Sequence, residues 1–355
     1  MPSVSVLRYA FLGFVCFALL LKGCESFQKP LVIGHRGSPG YRPEESLESY
    51  EVAINQGADY VEGDLISTKD HVLITMHTNE LSETTDVEDH PEFADRKTTK
   101  QISGNSFTGW FSEDFTIAEI RTLRLKERFP FRNHGFDGLY QVPTLEEMLQ
   151  FVQAKQAEVG RIVGVYLETK DPSYFRSIGL PLEDPLVDIL NQYGYSSKDS
   201  PIFIESFETN NLKMLATMTE VPLVQLISSA AVVQYDTGRR YGELITPEGL
   251  QEISTYAAGI GPIKTLILPP APGSETELVS RAHANGLVVH PWTFRNESQY
   301  YDGVRFASPV AEYESFYQMG VDGVFSDQPL TAVTAKNLFL GIAPECPPQE
   351  EVVAL

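Results

Sequence analysis

Cysteine is scarce: the 355 residues include only Cys16, Cys24 and Cys346. Three scattered thiols make neither a disulfide framework nor a zinc-type spacing. Positive charge is also short, with 27 Lys and Arg against 48 Asp and Glu and a formal net charge of −21. A polyanion binder needs a basic footprint, so nucleic acid is excluded as the main partner. No Walker loop, dinucleotide-binding glycine pattern or nucleophile elbow occurs, which argues against the chemistries those motifs serve. No internal repeat is visible, and no apolar run reaches the roughly 20 residues of a membrane span. The longest run, Tyr9 to Leu21, follows Arg8 and precedes Lys22, Gly23, Cys24, Glu25 and Ser26. That pattern predicts a secretory signal peptide over residues 1–26, cleaved after Ser26 or, as a second candidate, Gly23. The mature chain is then expected to lack a membrane span and to be secreted, cell-wall, vacuolar or periplasmic. In that pathway the sequon Asn296-Glu297-Ser298 becomes a possible glycosylation site.

What remains has a globular composition, with 42% hydrophobic and 21% charged residues. Short apolar runs alternate with helical patterns. The strand candidates are Leu31–Gly34, Tyr60–Ile66, Val72–Met76, Ile162–Leu167, Pro201–Ile204, Leu223–Ile227, Thr265–Leu268, Leu287–His290 and Asp322–Phe325. Thr116 with Glu119, Thr144 with Glu147 and Ser274 with Glu277 have capping-box spacing, and Gly259 and Gly286 stand where helices should stop. Continuous apolar strands separated by helices predict a parallel sheet covered on both faces. At this length the expected fold is α/β, a TIM-type (β/α)8 barrel. Nine candidates are one too many for it. Only residues 67–71 separate the second from the third, so those two should form a hairpin that carries His77 back towards Glu62 and Asp64. The long polar stretch 81–140 reads as an insertion over the barrel mouth. The barrel is expected over 27–340, with a Pro-rich acidic tail over 341–355.

Polar residues cluster where strands end, which is where such barrels place active sites. The first strand is followed by His35-Arg36-Gly37, the second carries Glu62-Gly63-Asp64, and its hairpin partner ends at His77. Another ends Glu168-Thr169-Lys170 and a later one His290-Pro291-Trp292. Residues two apart on a strand face the same way, so Glu62 pairs with Asp64 and Glu168 with Lys170. Three inward carboxylates repel unless a cation joins them, and hard oxygen ligands suit Mg2+ or Ca2+. A hydrogen-bonded network without an ion is the alternative. Arg36 and Lys170 beside such a group suit a bound phosphate. His35 and His77 would move protons near neutral pH, or else be satisfied core histidines.

These residues also resemble a known family. His35-Arg36-Gly37, Pro43-Glu44, Glu62-x-Asp64, Thr68-Lys69-Asp70, His77, Glu168-x-Lys170 and the closing Gly320 to Pro329 stretch are similar to the glycerophosphodiester phosphodiesterases. The likeness covers most of residues 31–335. Segments 92–97 and 110–116 resemble the longer members of plants, algae and bacterial periplasm. The resemblance implies a metal-dependent barrel that hydrolyses glycerophosphodiesters, small molecules, to glycerol 3-phosphate and an alcohol. It implies His35 and His77 as the acid–base pair, with Glu62, Asp64 and Glu168 holding Ca2+ or Mg2+. Arg36 and Lys170 would grip phosphate. Glu44 would orient the His35–Arg36 corner or meet substrate, and Trp292 would form an apolar wall. Asp327 is expected to close the last strand. One departure stands out: the family usually has His-Asp where this chain has His77-Thr78. Losing that carboxylate is expected to lower activity unless Thr78, Asn79 or Glu80 takes its place. Three rivals remain open: a lysophospholipase D-type activity, a non-catalytic barrel of the cell surface, and a metal-free acid–base enzyme.

Overall fold

A computed structural model describes residues 29–270 and 272–342. The expected signal peptide, the three cysteines and nearly all of the acidic tail lie outside the described residues.

The strands are β1 (Leu31–Gly34), β2 (Tyr60–Ser67), β3 (Leu73–Thr75), β4 (Thr98–Ile102), β5 (Asn105–Gly109) and β6 (Gly164–Thr169). They continue with β7 (Ile202–Ser206), β8 (Leu223–Ile227), β9 (Gly259–Pro262), β10 (Val288–Val289) and β11 (Gly323–Ser326). Eight of them run parallel in the order β10-β9-β8-β7-β6-β2-β1-β11, with helices between most neighbours. The remaining seam carries hydrogen bonds from Asp322 N to the Val289 carbonyl (2.9 Å) and from Phe325 N to the Pro291 carbonyl (3.1 Å). The result is a nearly closed (β/α)8 barrel. The surplus strand is β3, antiparallel to β2 with Leu65 opposite Thr75. Met76 N donates to the Asp64 carbonyl at 2.7 Å, which brings the end of this hairpin beside the β2 carboxylates.

Local signals explain most of the elements. Thr144 and Glu147 close a capping box on the helix Leu145–Val159, and Gly160 ends it at φ +66°. Thr116 and Glu119 do the same for the short helix Ile117–Ile120. Inside the ring, Ile33, Tyr166, Val224 and Phe325 pack with Tyr60, Phe203 and Trp292 against them. Tyr166 lies two residues before Glu168 on the same face of β6, so this aromatic plug forms a floor beneath the carboxylates.

Three expectations fail together near β9. Thr265–Leu268 is not a strand; Lys264–Leu266 is a 3-10 turn. Gly259 opens β9 instead of stopping a helix. A Cβ at Gly259 would lie 2.5 Å from a Val288 methyl, and one at Gly261 would lie 2.7 Å from a Leu226 methyl. Neighbouring side chains fill that space, so the strand must be written in residues that read as a turn. Nor does Ser274 cap a helix, because Leu278–Ala284 starts after Glu277 with no side-chain cap. Gly286 does follow that helix, at φ +73°.

Within 81–140, β4 and β5 form a hairpin whose turn, Ser103-Gly104, has positive φ at both residues. Leu81, Phe115, Ile120, Leu123 and Leu125 anchor the segment in the main core. Its later part brings Arg128 and Arg132 to the barrel mouth.

Candidate active site

The site starts from the sharp turn after β1. Arg36 has φ +54°, a conformation costly for a side chain with a Cβ, and Gly37 follows at +83°. Three contacts hold the turn. Arg36 N donates to Glu62 Oε2 at 2.6 Å, while Glu45 N (3.2 Å) and Ser49 Oγ (2.9 Å) donate to the Arg36 carbonyl. The turn therefore aims both His35 and the Arg36 guanidinium at the barrel axis.

His35 Nδ1 lies 2.7 Å from Asp327 Oδ1. The other Asp327 oxygen accepts from Arg132 Nη2 at 2.6 Å and Arg295 Nε at 2.7 Å. Despite burial, Arg295, His35 and Arg132 hold this carboxyl well below the usual range. An ionised partner at Nδ1 makes that nitrogen the donor and leaves Nε2 with its lone pair. Burial, then Arg36, lowers the His35 imidazole to about 4, so it is neutral. Asp327, expected only to close the last strand, is thus the partner of His35.

His77 is held differently. Its pKa is also well below the ordinary value, by burial and then Arg36 and Lys170. Its Nδ1 has no hydrogen-bond partner. None of the three candidate substitutes for the missing Asp supports it. Thr78 Oγ1 donates to the Glu80 carbonyl (2.9 Å), and the Asn79 amide donates to Glu113 (3.1 Å). The Glu80 carboxylate accepts from Ser82 and Trp110 N.

The carboxylates come from three adjacent strands in register, Asp64 beside Glu168 and Glu168 beside Glu205. Oxygens of Glu62, Glu168 and Glu205 all lie within 4.8 Å of one another. Asp64 is not one of this trio, although it lies beside Glu168. Its Oδ2 is 2.9 Å from Arg36 Nε and its Oδ1 3.7 Å from Lys170 Nζ, with neither oxygen aligned for a hydrogen bond. Against burial, Lys170 and then Arg36 keep it ionised, well below the carboxylate range. Burial pushes Glu62 and Glu205 well above that range and Glu168 up to about 8. Lys170 also contacts Glu168 Oε1 at 2.8 Å. Glu205, absent from the expected set, is 2% exposed, and its Oε2 has no partner. Such a cluster of hard oxygen donors, with an orphaned buried oxygen, fits a divalent cation.

His35, Arg36, Glu62, His77, Glu168, Lys170 and Trp292 line one cavity of about 430 Å³ together with Glu205. Trp292 donates its indole N–H to the Gly261 carbonyl (2.7 Å) and presents its ring as an apolar wall. Arg128, Lys264 and Arg295 add cations that no local motif marked. Glu44 is not in the wall. It props Arg36 (Nη1, 3.1 Å) and Arg128 (Nε, 2.9 Å), so it orients the corner. His290 is 1% exposed in the barrel core, 3.1 Å from the Tyr166 hydroxyl. Asn296 sits on the loop after β10. Its side-chain nitrogen, where a glycan would attach, donates to Thr331 Oγ1 at 2.8 Å.

The sequence profile of the glycerophosphoryl diester phosphodiesterase family matches residues 35–331, from the first histidine to just past β11. The chain belongs to this family. A glycerophosphodiester phosphodiesterase of Arabidopsis thaliana is 39% identical over 315 residues, covering 84% of each chain. One from Bacillus subtilis is 30% identical over 308 residues, again 84% of each. The fold is shared with a phosphodiesterase of Oleispira antarctica solved with the product sn-glycerol-3-phosphate. That match has a TM-score of 0.58 and 23% identity, and covers 87% of this chain and 97% of the other.

Proposed function

We propose that the protein hydrolyses glycerophosphodiesters to sn-glycerol 3-phosphate and an alcohol, with a divalent cation at the barrel mouth. One observation carries the reading. The Glu62–Glu168–Glu205 trio shares a cavity with Arg36, Lys170 and both mouth histidines. Those three glutamates would hold the ion, with the unbonded Asp64 oxygens beside them. Ca2+ and Mg2+ are the ions such donors suit. Held there, a divalent ion would supply Lewis acidity at the phosphoryl group and would offset the charge of the diester.

The chain's own groups do the rest. Arg36 and Lys170 bind and orient the phosphate. His35, fixed by Asp327, offers Nε2 to a proton on one side of the phosphorus. His77 completes the pair: one neutral imidazole takes a proton from the attacking oxygen, and the other, charged by a solvent proton once the anionic diester is bound beside it, gives that proton to the departing alcohol. Trp292 and the aromatic floor exclude water from the lower cavity. The test is turnover of glycerophosphocholine with added Ca2+ or Mg2+ and an EDTA control. Release of glycerol 3-phosphate that EDTA stops and metal restores is the expected result. Metal-independent turnover would remove the ion from this reading, and none under any condition would leave a non-catalytic barrel.

A further inference from the structure

The mouth has a second compartment beyond Lys170. A cavity of about 280 Å³ shares Glu168, Lys170 and Phe207 with the first. The two differ in character. Arg128, Lys264 and Arg295 line the first, whereas the second is walled by the carboxylates of Asp171 and Glu208 and the rings of Tyr235 and Tyr241. Among its described lining residues the one cation is Lys170, which already faces Glu168 at 2.8 Å. Phe207 is the partition, its ring 6.0 Å from Tyr241 on one side and 5.5 Å from Trp292 on the other.

We propose that this second cavity receives the alcohol half of the diester and selects an ammonium-bearing headgroup such as choline or ethanolamine. The inference rests on the phosphodiesterase reading and deepens it. A phosphate bound by Arg36 and Lys170 lies where the two cavities meet, so the two ester arms point into different compartments. A cationic arm is repelled by the arginines of the first. In the second it meets two tyrosines, whose rings can attract a cation, and carboxylates whose mutual repulsion it relieves. Asp236, close to Glu208, adds to that negative field. The volume suits a small alcohol.

The test compares kcat/KM for glycerophosphocholine with that for glycerophosphoglycerol, whose headgroup is neutral, in the full metal-supplied protein. The ratio is insensitive to partial misfolding. Asp171→Asn and Tyr235→Ala are both expected to lower it about five- to tenfold, the scale of a desolvated cation–π or charge contact. An unchanged ratio in both variants overturns the proposal. Lysophosphatidylcholine carries the same headgroup, and running it alongside separates an acylated from a deacylated source of that cation. Titration with choline chloride, read by calorimetry, reports on the cavity without turnover. Saturable binding weakened in Tyr235→Ala supports the subsite, and no binding to the wild type counts against it. A wild type that binds choline yet cleaves no diester would sink the phosphodiesterase reading and leave the subsite standing.

Discussion

At the β1 end of the mouth His35 donates to Asp327, whose other oxygen is gripped by Arg132 and Arg295. At the β3 end His77 faces the same cavity with nothing at Nδ1. The carboxylates divide in the same way. Asp64 has its charge balanced between two cations, although neither of its oxygens is hydrogen-bonded, while Glu205 keeps a buried oxygen with no partner and no cation at ion-pair distance among the described residues. One half of the site is organised by the protein alone. The other half is a set of groups to which the described chain gives no hydrogen-bond partner. A buried orphan costs free energy unless a ligand supplies its partner, so in this mouth the unsatisfied atoms are the ones that the proposed ion and substrate would satisfy.

The comparison breaks first at the histidines. His35→Ala and His77→Ala should each cost roughly two to four orders of magnitude in kcat, the scale of a general acid or base. Wild-type turnover in either would end the pair assignment. Asp327→Asn should act on stability as well as rate. It leaves Arg295 facing a neutral partner and Arg132 with Glu297 as its one remaining carboxylate, and breaking such a buried pair costs about 3 kcal/mol. A carboxyl depressed in the fold adds stability that is fully present above its unfolded pKa of about 4 and is lost as pH falls through the folded value. Urea titrations should therefore show the wild type losing its advantage over Asp327→Asn below about pH 4. A gap that stays constant through that range would mean Asp327 is not ion-paired as described. Glu205→Gln should weaken Ca2+ or Mg2+ binding about 10–100-fold, as loss of an ion's supporting groups typically does. Calorimetry of metal binding reads this without substrate, and unaltered affinity would return the ligand set to Glu62, Asp64 and Glu168.

Much of this architecture could be read from local pattern. β2, β6 and β8 are buried along almost their whole length, and their apolar stretches show in the sequence because both faces are covered; the two Thr-x-x-Glu boxes fold as spelled. The residues at the strand ends were visible as short motifs. β9 was not, because crowding by Val288 and Leu226 demands glycine and erases the apolar signal. Glu205 escaped because its strand was ended at Ile204, two residues short of Ser206, and a lone glutamate there makes no motif. The role of Asp327 depends on a contact across 292 positions of sequence. Arg128 and Arg132 arrive from a segment with no barrel periodicity. Pairings of that range are set by topology, and no local spacing encodes them.

The smallest expected effect falls on the departure from the family pattern. If Thr78 were simply the missing partner of His77, restoring a carboxylate should raise kcat. The geometry argues otherwise. While His77 lines the large cavity, Thr78 lines a separate small one with Asn79 and Glu80. Its hydroxyl is already spent on the Glu80 carbonyl. Thr78→Asp should therefore change kcat by no more than about twofold, the ordinary scale of a substitution that touches no special feature. A tenfold gain would show that the new carboxylate reaches Nδ1 and that an undirected imidazole limits this enzyme. The contrast between the two histidines would then be a defect of one chain, and no longer a division of labour between protein and ligand.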